Sequence, residues 1–140
     1  MKRFLGLDIG TKRIGVSVSD PLGSFAQGVA VLDATRDWMA ELDKLVAHYK
    51  VGVIVVGMPY RTDASVGPEA LKIKDVVSSL RQRYPDLDVV LWDERFTTTI
   101  AEKAMIEADV KRKKRRQNID MVAASIMLQD FLEHYSKGGS

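Results

Sequence analysis

A chain of 140 residues is the size of a single domain, and such a domain buries about two-thirds of the surface its unfolded form exposes, so it needs no staples. The absence of cysteine excludes a disulfide framework and thiolate metal sites, so a bound metal must be held by oxygen or by one of only two histidines, which makes oxygen-ligated Mg2+ or Mn2+ the natural candidate. The net charge of +2 is unevenly spread: Lys111, Arg112, Lys113, Lys114, Arg115 and Arg116 carry +6, so the remainder sums to −4. A mildly acidic body with one concentrated cationic segment implies a local anion-binding surface, nucleic acid being the commonest polyanion; the alternative is a solvated loop.

The opening MKRFLGLDIG is broken by Gly6 and Asp8, too short for a signal peptide or a membrane span, so a cytosolic location is expected. Lys2 to Asp8 and Arg13 to Ser19 alternate apolar and polar residues around the turn signal Ile9-Gly10-Thr11-Lys12, which predicts a hairpin. A third strand follows over Phe25 to Leu32. Helical spacing of Trp38, Leu42, Leu45, Val46 and Tyr49 predicts a helix over Arg36 to Tyr49. Val51 to Met58 is a near-continuous β-branched run that suits a strand buried on both faces. Another helix is expected over Pro68 to Tyr84, a strand over Asp88 to Trp92, a helix over Ile100 to Ala108, and a last helix over Ile119 to Tyr135. The order predicts an α/β domain: a mixed sheet of an antiparallel three-strand meander plus two parallel strands, flanked by helices. It fills residues 1–136, with 137–140 a disordered tail.

Three carboxylates stand out. Asp8 ends a buried strand beside a glycine-bearing turn that lets a phosphate approach the backbone; a turn cap is the alternative. Asp93-Glu94-Arg95 follows an apolar strand directly, where open α/β sheets place their ligands. Adjacent side chains on a strand point oppositely, so one of Asp93 and Glu94 meets Asp8, and the spacing does not say which; alternatively both face solvent with Arg95 as partner. On the last helix, Asp120, Ala124, Met127 and Phe131 share one stripe, and a charge on an apolar face is costly unless paired or bound to metal. Its alternative is a first-turn acid favoured by the helix dipole, behind Asn118 as N-cap. Ala123 and Ala124 would let this helix approach the sheet closely. Three converging carboxylates repel unless a divalent cation neutralises them, and two ions about 3.5–4 Å apart are the known arrangement for in-line displacement at a phosphodiester. His48 and His134 fit no ligand spacing and are expected at the surface or in packing.

The motifs LGLDIGTKRIGVSVSDPLG (Leu5 to Gly23), VVGMP (Val55 to Pro59), DERFTT (Asp93 to Thr98) and IDMVAASIMLQDFL (Ile119 to Leu132), in this order, resemble the YqgF (RuvX) family of pre-16S rRNA nucleases, also described as Holliday junction resolvases. The resemblance implies a ribonuclease H-like fold, a divalent-metal site (Mg2+ or Mn2+) and an acidic trio on Asp8, Glu94 and Asp120, choosing Glu94 over Asp93. The chain departs from the family pattern over Pro59 to Gly67, where the usual asparagine, glycine and glutamate are replaced; Arg61 is expected to substitute as a phosphate contact. Lys12, Arg13, Arg95 and the basic run are the other expected nucleic-acid contacts.

Cleavage of structured RNA in ribosomal RNA maturation is therefore the leading expectation. A resolvase would use the same chemistry on four-way DNA junctions as a symmetric homodimer. An ATP-binding domain of the actin and hexokinase type shares the D-x-G-T hairpin, but it needs two such domains around its nucleotide. A non-catalytic nucleic-acid binder would use the basic run and no metal.

Overall fold

The computed structural model describes residues 3–58, 68–93 and 115–135, and the side chains within them except those of 68–70, 93 and 115–119. The elements are β1 (Arg3–Ile9), β2 (Arg13–Ser19), β3 (Ala26–Asp33), α1 (Trp38–Tyr49), β4 (Val51–Met58), α2 (Pro68–Arg83), β5 (Asp88–Asp93) and α3 (Arg115–His134). They form one five-stranded sheet in the order β3-β2-β1-β4-β5. The β1–β2 and β2–β3 pairs are antiparallel and β1–β4 and β4–β5 parallel, as the meander followed by helix-to-strand alternation predicts.

The pleat sorts each strand's side chains between two layers. Leu5 and Leu7, Ile14, Val16 and Val18, and Ile54, Val56 and Met58 pack with Leu42 of α1 and Ile73, Val77 and Leu80 of α2. On the opposite face Phe4, Val53, Val55, Val90 and Trp92 pack with Met127, Leu128, Phe131 and Leu132 of α3. β4 feeds both layers, which is why its sequence is apolar without alternation.

Most boundaries fall within a residue of expectation, and three starts differ for reasons the structure shows. β3 begins at Ala26, because Phe25 belongs to the preceding turn: its N–H and that of Ser24 bind Asp20 Oδ1 at 2.9 and 2.7 Å. These bonds, that from Phe25 foremost, hold the Asp20 carboxyl below its usual range. α1 begins at Trp38 rather than Arg36, because Asp33 first folds the chain back, its Oδ1 accepting the N–H and hydroxyl of Thr35. The last helix starts at Arg115, four residues before the expected Ile119. The basic run therefore does not end before the helix, whose first two residues are Arg115 and Arg116. Asn118 lies inside the helix and is not its N-cap. The expected helix over 100–108 and the tail lie outside the described residues.

Candidate active site

The seat of α3 is a strip of sheet without side-chain bulk. A Cβ on Gly15 would lie 2.0 Å from the Asp120 carbonyl oxygen, one on Gly28 2.8 Å from Met121 Cβ, and one on Gly6 3.0 Å from Leu128 Cβ. Only hydrogen fits at these positions. Ser17, fully buried between them, donates its hydroxyl to the Ala124 carbonyl at 2.9 Å and ties the helix down. Ala124, one of the two small helix residues expected to allow close approach, is buried here, and the sheet meets it with glycine.

This seating sets the geometry of the acids. Asp8 pairs with Gly15 across the β1–β2 ladder, and directly opposed residues share a face. Since the backbone of Asp120 rests on Gly15, the Asp8 carboxylate and Asp120 lie on the same face of the sheet, at the end where β1, β4 and β5 all terminate. Asp120 heads the stripe whose other members, Ala124, Met127 and Phe131, are buried, and its own side chain is 24% exposed. It sits in the second turn of α3, whose first turn holds no acidic residue, so the helix dipole does not explain its charge. Asp8 is half-buried, and its side chain makes no hydrogen bond or ion pair with a described residue. A carboxylate there could hold an oxygen-ligated cation together with Asp120 on the same face.

Arg13 was expected to hold phosphate, and its position adds a second role. Its Nε donates to Asp120 Oδ2 at 2.8 Å while the side chain is half-exposed, so one guanidinium borders both the acids and solvent. Lys12 is exposed beside it in the hairpin turn, closed by Gly10 N–H donating to the Arg13 carbonyl at 2.9 Å. The sequence carried no sign of the Arg13–Asp120 contact, since the partners are 107 residues apart and meet through sheet register.

The other expected site residues are not gathered by the described structure. Arg61, Glu94, Arg95 and Lys111 to Lys114 lie outside the described residues, as do the side chains of Arg115 and Arg116. Among the described residues no group of three or more histidine, aspartate or glutamate side chains could hold a metal. The histidines are in packing roles: His48 stacks edge-on against Tyr49, and His134 lies against Trp92 and bonds the Asp130 carbonyl at 2.9 Å.

Residues 2–134 match the RuvX family, described as Holliday junction resolvase. A protein of Halothermothrix orenii, provisionally named a pre-16S rRNA nuclease, is 46% identical over 137 residues, 96% of this chain and 97% of its own length. The fold is similar to that of fowlpox virus resolvase in complex with Holliday junction DNA, with TM-score 0.61 at 13% identity, covering 94% of this chain and 97% of that one. T. thermophilus RuvC in complex with a Holliday junction gives 0.55 at 12% identity over 99% and 97% of the two chains. The sheet order and these neighbours make the fold ribonuclease H-like, as the motifs implied. The family match over nearly the whole length, joined to the relative's identity, shows that the chain belongs to the RuvX family.

Proposed function

We propose that this nuclease hydrolyses phosphodiester bonds of structured RNA, with pre-16S rRNA as its substrate in the cytoplasm, through a divalent-metal site on Asp8, Glu94 and Asp120. The observation that supports the reading is that Asp8 and Asp120, from opposite ends of the chain, share the bare face at Gly15. The relative's name supports the substrate. The resemblance of the DERFTT motif supports Glu94 as the third ligand. Bound Mg2+ or Mn2+ would polarise the phosphate and lower the pKa of an attacking water.

The chain's own residues do the rest. Asp8 and Asp120 supply charge and orientation at the sheet end. Arg13, resting on Asp120, is placed to contact a phosphate oxygen beside the acids, with Lys12 behind it. Arg61, Arg95 and the run from Lys111 to Arg116 add contacts that raise affinity without reading sequence. The catalytic unit spans residues 1–136.

A second reading keeps the site and exchanges the substrate. The family description and both resolvase folds favour a four-way DNA junction, cut by a homodimer presenting two sites to two strands. Cleavage of a precursor 16S RNA fragment and of a DNA junction, each with Mg2+, Mn2+ or chelator, decides between them. Wild type should cut the RNA only with metal, and Asp8→Asn and Asp120→Asn should each slow cleavage at least about a hundredfold. Preferential, symmetric nicking of the junction would transfer the proposal to DNA. Equal cutting by the variants would end the nuclease-site assignment.

A further inference from the structure

Beside the acids the sheet opens into a cleft of about 690 Å³, lined by Lys12, Arg13, Val31, Asp33, Thr35 and Met121 among others. Its size lies within the roughly 300–1,000 Å³ of small-ligand sites. Its register is fixed: Asp8 pairs with Gly15, and Gly15 with Val31, so Val31 stands two strands along the same row, about 10 Å away at a strand spacing of ~4.8 Å. Asp120 stands over the middle of that row and Met121 over Gly28. Arg13 belongs to both places, ion-paired to Asp120 and lining the cleft.

We propose that this cleft binds one unpaired nucleotide next to the phosphate that is cut, with the nucleotide's own phosphate on Lys12 and Arg13 and its base against Val31 and Met121. The lining of the cleft supplies both kinds of group that ligand needs. Arg13, ion-paired to Asp120, and Lys12 beside it offer the cations to the backbone of a strand entering the site. The half-buried Val31 and Met121 offer an apolar surface to a base face. Asp33 stands directly across the β2–β3 ladder from Arg13; its Oδ1 accepts the N–H and hydroxyl of Thr35 and its Oδ2 pairs with Arg36 at 3.5 Å. Its carboxylate can still accept a bond from a base amino group or a ribose hydroxyl. A duplex keeps its base faces stacked inside and turns phosphates outward, so it cannot fill an apolar floor. The position of the nucleotide relative to the cut rests on the nuclease reading; the binding itself does not.

The test uses the full chain in chelator, so that no cleavage occurs. A short RNA strand carrying 4-thiouridine is irradiated with wild-type protein and the crosslinked peptide mapped by mass spectrometry. In parallel, anisotropy titrations compare the strand, the same strand annealed to its complement, and a DNA strand of the same sequence, against wild type, Met121→Glu and Met121→Leu. Crosslinks are expected on 31–35 or on Met121. Met121→Glu should weaken single-strand binding about tenfold, while duplex binding stays within about twofold and Met121→Leu matches wild type. Crosslinks confined to other segments, or equal effects of Met121→Glu on strand and duplex, would overturn the proposal. Neither outcome touches the dependence of cleavage on Asp8 and Asp120, whose failure is read separately.

Discussion

A hydrogen atom at position 15 decides where Asp120 stands. An added methyl would lie 2.0 Å from the Asp120 carbonyl oxygen and 2.6 Å from its carbon, both backbone atoms that cannot turn aside. Gly15→Ala should therefore lift α3, destabilise the fold by about 1–3 kcal/mol in denaturant titrations, and slow cleavage tenfold or more under conditions where the variant is fully folded, because misplacing a catalytic group is costly. Arg13→Ala should behave in the opposite way. Its ion pair joins side chains 50% and 24% exposed, a setting worth about 0.2–1 kcal/mol, so the melting temperature should hardly move while nucleic-acid binding weakens. Asp120 was legible in the sequence because a charge on an apolar stripe asks for an explanation. The roles of Gly15 and of the Arg13–Asp120 contact were not, since both depend on which strand and helix meet, and nothing local to either residue encodes that.

Elements were read well where their periodicity was strong. The hairpin, β4 and α2 sit where alternation, the β-branched run and helical spacing place them. The start of α3 was misplaced because a run of like charges reads as loop, whereas Lys and Arg are good helix formers and propensity prevailed at Arg115 and Arg116. Two side-chain ties hold the helices. Ser17→Ala removes the buried hydroxyl that binds the Ala124 carbonyl, and should cost about 1 kcal/mol by denaturant titration, with the site intact but more loosely held. On the other layer Asp43 of α1 accepts bonds from Arg83 Nε, at 2.9 Å, from Arg83 Nη2 and from the Tyr84 hydroxyl at the end of α2. These bonds, Arg83's first, lower the Asp43 carboxyl from 3.8 to about 2. Because the folded value lies below the unfolded one, the stabilisation is complete above the unfolded value and is lost as pH falls through the folded one. Melting curves recorded across that window should show a fall for wild type that Asp43→Asn flattens.

At the scale of the molecule, the charge is arranged as the composition suggested: +6 within Lys111 to Arg116 on a body of −4. Replacing Lys111, Arg112, Lys113 and Lys114 by Gln should lower the slope of log affinity against log salt by up to about 3–4, without changing the cleavage rate at saturating substrate. An unchanged slope would remove the segment from the binding surface. Composition could place this charge in the sequence but not in space, and the same limit applied to the acids, whose grouping depends on the sheet order β3-β2-β1-β4-β5.

That order has a consequence for the protein's life on the ribosome. Asp8 emerges almost first and Asp120 almost last, yet both belong to the same patch, because α3 returns to cover the hairpin made at the outset. A nascent chain that has exposed everything up to β5 presents the bare glycine strip without its helix and holds at most part of the acidic set. With the proposed site, cleavage would begin only once the final segment is released and α3 docks on the strip, so the topology itself would keep an unfinished chain from cutting.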